Sequence, residues 1–435
     1  MDISKLKNLN WRFWSGLLLV LMALSNLVYW SQFHIIRLEI GLYTDSSWDV
    51  PTDEGTKMID QAIREFEKKH PKVDVVYESG IDKAGYSSWL SDKIILGETP
   101  DVFMLPDGSF NSLAQDKVLL NLNPYMNRLD TNDFYPASLK AGQYQGTSYS
   151  LPYENNVMML CINKDLLEAA DIEIPSSGWS LDEFYQLCKK LSRDTDGDGQ
   201  LDQFGVTDYS WQDAISAHGL SIFSNEPSGS VSINNEGIKS ALDFYTKLDK
   251  LSGATKVSSD DFDKGKVAFM PMTLAEYRTY KPYPYHISKY SSFEWTCVQM
   301  PVKSKKVVPN QLQTSLFGIS SKSQYKDLAW EFMTLLTKDD YQTKLMIESS
   351  GASVKKSVVQ NDTIAKQFSR DNFGSSALTT DTLDGMLSRS RVQPSNSQSQ
   401  EIMDKADYLI TQSITKGTLD GDLQDIQEKL NNQKN

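Results

Sequence analysis

Hydrophobic periodicity constrains this chain most, because it changes twice within forty residues. Leu38-Glu39-Ile40-Gly41-Leu42 alternates apolar and polar residues, the two-residue repeat of a strand. Met58, Ile59, Ala62, Ile63 and Phe66 then recur at helical spacing until Pro71 stops the run. Val73-Asp74-Val75-Val76-Tyr77 returns to strand composition. Strand, helix and strand in that order predict a right-handed βαβ unit and an α/β domain.

Later segments repeat the pattern. Pro100–Leu105 reads as a strand that runs into the loop Pro106-Asp107-Gly108-Ser109. Ser180 and Glu183 are spaced as a capping box, and Phe184, Leu187, Cys188 and Leu191 form the apolar stripe of the helix after it. Leu328, Ala329, Phe332, Leu335 and Leu336 mark another helical face. A chain of 435 residues exceeds one ordinary core, so two domains are expected.

Lys+Arg number 44 against Asp+Glu 57, a net charge of −13, which repels polyanions and argues against nucleic acid as a partner. The three cysteines, Cys161, Cys188 and Cys297, are far apart in sequence and odd in number, which argues against a disulfide framework and a cysteine-only zinc cage. The four histidines lie outside any HExxH motif, and no P-loop, nucleophile elbow or dinucleotide turn is present in the sequence. A binding protein is expected rather than an enzyme, with a two-carboxylate glycoside hydrolase as the remote alternative.

Residues 1–36 carry Lys5, Lys7 and Arg12 ahead of the apolar run Trp14–Trp30. A basic flank before a hydrophobic stretch predicts export of the remainder of the chain. The segment reads either as a cleaved signal, with Ala23-Leu24-Ser25 as the small-x-small site, or as an uncleaved anchor with aromatic residues at both ends. The anchor is the favoured reading, which places the protein on the extracytoplasmic face of the cell membrane. The first forty residues contain no cysteine that could take a lipid.

Gly97-Glu98-Thr99-Pro100-Asp101-Val102 has the form G-x-x-P-D-V at a strand entry. Tyr149-Ser150-Leu151-Pro152-Tyr153 is followed by Ile162-Asn163-Lys164-Asp165-Leu166, and Trp179–Phe184, Lys264–Met270, Gly318-Ile319-Ser320 and Ala329–Phe332 come later in the chain. In order and spacing these segments resemble the family-1 extracellular solute-binding proteins of ABC importers, the group that includes maltose-binding protein. The first looks like that family's strand entry, the second pair like its Y-G-L-P and Y-N-K-D-L crossing, and the rest match its later segments.

The resemblance implies a periplasmic-binding-protein type II fold, two α/β lobes joined by three crossover strands near Leu151–Val157, Met270–Thr273 and Gln311–Ile319. One lobe would comprise 37–152 plus 273–312, the other 153–272 plus 313–435. It further implies a monomer that delivers a carbohydrate, most simply an oligosaccharide, to ABC importer permease subunits. A membrane-anchored sensor subunit for a signalling kinase is the alternative.

Sugars require aromatic rings for their C–H faces and carboxylate or amide partners for their hydroxyls. Ligands in α/β folds sit beyond the carboxyl ends of strands. Candidate contacts at those places are Asp45, Ser46, Trp48, Asp107, Glu154, Asn155, Trp211, Thr273 and Tyr277. Of these the resemblance supports Asp107 and Glu154 most, while a capped loop or a packed surface aromatic is the competing reading of each. Tyr280, Tyr283, Tyr285 and Tyr290 form an aromatic cluster that reads as a surface loop or an extra subsite.

The sharpest local motif runs from Asp194 to Asp202 as D-x-D-G-D-G-x-x-D. Hard oxygens at alternate positions with glycines between them suit Ca²⁺. Asp194, Asp196, Asp198, Gln200 and Asp202 are the expected ligands of a structural ion, and an acidic turn is the alternative.

Overall fold

The computed structural model describes residues 13–25, 35–50, 56–223, 230–253, 255–280, 293–370, 378–392 and 399–432; side chains of 280, 369, 370, 399 and 400 are not among them. Strands β1 (Ile36–Gly41), β2 (Val73–Tyr77) and β3 (Val102–Met104) form a parallel set separated by the helices Lys57–Lys69 and Lys83–Leu96. The βαβ reading of the sequence is therefore correct. A short hairpin, β4 (Gln143–Tyr144) and β5 (Thr147–Ser148), turns through Gln145 and Gly146, both at positive φ as a two-residue hairpin requires.

The strands β6 (Ser150–Asn163), β7 (Phe204–Val206), β8 (Val267–Thr273), β9 (Trp295–Val298), β10 (Asn310–Ile319) and β11 (Ser390–Arg391) complete the set among the described residues. They join the first three in one path of order β2-β1-β3-β10-β6-β8-β7, with β11 beside β10 and β9 beside β6. Strand β6 spans both halves of that path. Its Leu151–Val157 portion pairs with β10, while Met158–Ile162 pairs with β8 and Leu160–Asn163 with β9. Strand β10 likewise pairs with β3 at Phe317–Ile319 and with β6 along its length.

Packing mirrors this division. One core gathers Leu38, Ile40, Phe66, Phe103, Leu151, Phe317 and Phe332. A second gathers Leu160, Ile162, Phe184, Phe269, Met300, Ile402 and Ile426. A third cluster, around Val157, Cys161, Met270, Trp295, Leu312, Met346 and Ala352, lines the second-lobe side of the crossings. The capping box is formed: the Ser180 hydroxyl accepts the Glu183 amide at 3.1 Å and the Glu183 carboxylate accepts the Ser180 amide at 2.6 Å.

Two expectations about the lobes need correction. The segment 273–312 does not join the first lobe, because β9 pairs with β6 and Trp295, Cys297 and Met300 pack in second-lobe cores. Most of 313–341 does not join the second, because β10 carries the chain back and Phe332 packs edge-on against Phe66 at 5.4 Å in the first. Met270–Thr273 is also not a crossing, since it pairs only with Met158–Cys161 in the second lobe. The third crossing lies between Tyr341, in the first core, and Met346 and Ala352, in the third cluster.

Of the apolar N-terminal run, residues 14–25 belong to an exposed helix that starts at Phe13, and 26–30 lie outside the described residues. Among the described residues no helix is long and apolar enough to cross a membrane. The Tyr283, Tyr285 and Tyr290 part of the aromatic cluster, like the Tyr280 side chain, lies outside the described residues.

Candidate ligand cleft

At the centre of β6 the polar run Glu154-Asn155-Asn156 is almost wholly buried, at 4%, 0% and 2% exposure. Buried polar groups are stable only when paired, and each of these is. The Glu154 carboxylate accepts the Gly351 amide at 2.9 Å. Asn155 accepts from the Ser138 and Thr314 hydroxyls at 2.9 and 3.1 Å and donates to the Ser353 carbonyl. Asn156 donates to Gln313 and accepts the Ala275 amide. The three residues thus tie β6 to β10, to the third crossing and to the helix Leu274–Tyr280.

Burial raises the Glu154 carboxyl above its ordinary range, although Ser349, Trp48, the Gly351 amide and Arg278 act against that shift. Glu154 and Asn155 are thus buried at the crossings, and neither lines the larger cleft between the lobes, contrary to expectation. Tyr277 is a third correction. It is 2% exposed, and its ring packs on Trp295 at a centroid distance of 5.2 Å.

A cleft of about 720 Å³ opens against the crossings, within the usual range for small-ligand sites of roughly 300–1,000 Å³. The first lobe contributes the loop after β1 (Trp48, Asp49), Lys83 at the start of its helix, Asp107 in the loop after β3, and Phe110 at the start of the helix Phe110–Gln115. The second lobe contributes Trp211 and Gln212 at the start of the helix Trp211–Ala217, together with Phe223, Thr273 and Glu276. Asn156, Gln313 and Thr314 supply the crossing strands' share. Four of the expected contacts, Trp48, Asp107, Trp211 and Thr273, meet in this space.

Their roles differ. Trp211 is 2% exposed and its indole N–H donates to Asp407 at 2.8 Å, so it forms a wall fixed by the second core. The Thr273 hydroxyl donates to Glu276 at 2.8 Å and accepts the Glu276 amide at 3.2 Å, capping the helix that carries Glu276. Asp45 and Ser46 line a separate recess of about 70 Å³ with Glu154. They shape the loop: Asp45 accepts the Lys83 amide at 2.9 Å and Ser46 accepts the Trp48 amide at 3.2 Å.

Lys83 is the principal residue missed from sequence. Its ammonium lies 2.9 Å from Asp49 and 3.0 Å from Asp107. Burial would lower its pKa, but the two carboxylates outweigh burial and raise it, so the charge stays fixed. The signal was available: Asp82 caps the helix after β2, placing Lys83 at a strand's carboxyl end. Glu276 was legible as the fourth residue of a T-x-x-E capping pattern starting at Thr273. Gln212 lines the same cleft with a buried Oε1 that has no hydrogen-bond partner among the described residues.

The acidic loop gathers fewer ligands than expected. Carboxylate oxygens of Asp194, Asp196 and Asp202 lie within 4.8 Å of one another, whereas the Asp198 carboxylate is not part of that group. Asp198 instead accepts the Gln200 amide at 2.7 Å. The amides of Gly199 and Gly197 hold the Asp194 carboxyl below its ordinary range. Both glycines adopt positive φ, 88° and 82°, which lets their amides point inward.

The model of the bacterial extracellular solute-binding protein family matches residues 61–370. The sugar-binding protein MalE from Xanthomonas citri shares the fold with a TM-score of 0.73 and 17% identity, covering 92% of this chain and 96% of that one. The cyclic alpha-maltosyl-1,6-maltose binding protein from Arthrobacter globiformis gives a TM-score of 0.70 at 15% identity, covering 92% and 100%. An ABC substrate-binding protein from Listeria monocytogenes, in complex with cycloalternan, gives 0.63 at 17% identity, covering 92% and 99%.

Proposed function

This chain belongs to the bacterial extracellular solute-binding proteins, and from that premise we propose that it captures a carbohydrate between its lobes. Its place is extracytoplasmic. The single observation that carries the carbohydrate reading is the composition of the cleft. Aromatic side chains of Trp48, Phe110 and Phe223 line the same space as polar groups on Asp107, Lys83, Glu276 and Gln313. Sugars present apolar C–H faces and outward hydroxyls, and those two chemistries match these two kinds of wall. The fold neighbours whose own ligands are sugars support the same class.

In this reading the receptor works as a monomer and passes an oligosaccharide to the permease subunits of an ABC importer. The segment Trp14–Trp30 keeps it at the membrane uncleaved; a mature N-terminus at Asn26 in culture medium would overturn that part alone. For the acidic loop, we propose a structural Ca²⁺ held by Asp194, Asp196 and Asp202, which the convergence of their oxygens supports.

A thermal-shift panel of mono- and oligosaccharides, amino acids and short peptides tests the class of ligand. A sugar that binds only the folded state at a hundredfold excess over its Kd adds about 2.7 kcal/mol. At least one sugar should raise Tm, and a panel in which amino acids or peptides do so instead would refute the reading.

A further inference from the structure

The sequence spacing of the cysteines conceals a pair. Cys161 on β6 stands directly opposite Cys297 on β9 in antiparallel register. Their sulfurs are 2.9 Å apart, with both side chains buried and 136 positions between them in sequence. Cys188 is buried elsewhere, on the helix Leu181–Leu191 against Gly205.

The local hydrogen bonding favours a link. The Lys164 amide donates to the Glu294 carbonyl at 2.7 Å, which marks Lys164 and Glu294 as a hydrogen-bonded pair. Antiparallel pairs alternate in type along a ladder. Counting from there through Asn163 and Ile162 places Cys161 and Cys297 at a non-hydrogen-bonded position. There Cα atoms approach to about 4.5 Å and side chains lie closest, inside the span of about 4.4–6.8 Å that a disulfide bridges.

We infer that Cys161 and Cys297 form a disulfide once the chain has left the cytoplasm. Outside the cytoplasm oxidation is the normal fate of apposed thiols, so the inference rests on the extracytoplasmic placement of the family and not on the identity of the ligand. The oxidant is an exchangeable disulfide, on an oxidoreductase or a small molecule. One cysteine thiolate attacks it to form a mixed disulfide and expel the first thiol. The second cysteine then attacks that mixed disulfide, forming the Cys161–Cys297 bond and releasing the second thiol. Two protons and two electrons leave the protein, and the oxidant departs as two thiols.

Burial and the neighbouring Cys297 thiol hold the Cys161 thiol well above its ordinary range, so little thiolate exists in the folded state. The exchange therefore belongs to folding, before β6 and β9 close over the sulfurs. The product fastens β9 to the strand that joins the lobes and restricts the unfolded chain.

The test takes the full chain, refolded in a buffer of reduced and oxidised glutathione, then denatures it in an alkylating reagent. Intact mass should show one alkylated cysteine before reduction and all three after it, and a peptide map should link Cys161 to Cys297. Reductant applied during unfolding should lower the Tm of the wild type and leave that of Cys297→Ser unchanged. Three alkylated cysteines without reduction, or a bridge that includes Cys188, would overturn the inference. Because the thiol count is read on the wild type, it decides the matter even if the variant folds poorly.

Discussion

The carboxylate of Glu154 accepts the amide of Gly351 at 2.9 Å, a bond between two residues 197 positions apart. It joins the middle of β6 to the segment through which the chain crosses between lobes for the third time. The two approach so closely that a Cβ on residue 351 would collide with the Glu154 carboxylate. Arg278 closes the arrangement by donating to the Gly351 carbonyl at 2.8 Å and the Met346 carbonyl at 2.7 Å.

This pair should govern folding more than affinity. Glu154→Ala leaves the buried Gly351 amide with only its longer bond to the Ser349 hydroxyl, at 3.3 Å, and should cost about 1–3 kcal/mol. Gly351→Ala should also destabilise, by steric conflict. Glu154→Gln keeps an acceptor and removes the charge. The folded pKa of Glu154 is raised, so its proton-linked contribution is full below the unfolded value near 4.3 and is lost as pH rises through the folded value. The Tm of Glu154→Gln should thus exceed that of wild type at neutral pH, with the difference shrinking toward zero on acidification. Melting curves across pH check this; a difference that grows on acidification would contradict it.

The two tryptophans of the cleft should separate affinity from stability. Trp48 is part-exposed on the loop after β1, and Trp48→Ala should weaken sugar binding by roughly 1.5–3 kcal/mol, the scale of one aromatic burial. Trp211 belongs to the second core, so Trp211→Ala should lower stability by about 3–5 kcal/mol. Calorimetry and denaturant melts on both variants would expose a reversal of these roles.

The acidic loop yields a separate expectation. Ca²⁺ should raise the Tm of wild type, and chelator should remove the gain. Asp194→Asn together with Asp196→Asn should abolish the response, while Asp198→Asn should keep most of it, since Asp198 stands outside the converging group. A wild-type Tm indifferent to chelator would remove the metal from the account.

Much of the molecule was legible in sequence because it depended on local pattern. The βαβ unit, the Ser180–Glu183 box, and Trp48, Asp107, Trp211 and Thr273 at the cleft derive from periodicity and from the position of loops after strands. Glu154, Asn155 and Tyr277 were misplaced for the opposite reason. The partners of Glu154 and Asn155, Gly351 and Ser353, are distant in sequence, and Trp295 meets Tyr277 only through the placement of β9; a polar run within a strand looks the same whether it faces solvent or is satisfied inside a crossing. The lobe boundaries failed likewise, since register with β6 decides where β9 goes and no local signal encodes that register.

Ligand held between the lobes should draw them together about the crossings formed by β6, β10 and the Tyr341–Ala352 segment. A ligand touching both lobes shifts the population toward a closed form. Small-angle scattering of the wild type, with and without a saturating sugar identified by thermal shift, measures this most directly. A smaller radius of gyration in the bound state is the predicted result. A radius unchanged at saturation would contradict closure around the ligand.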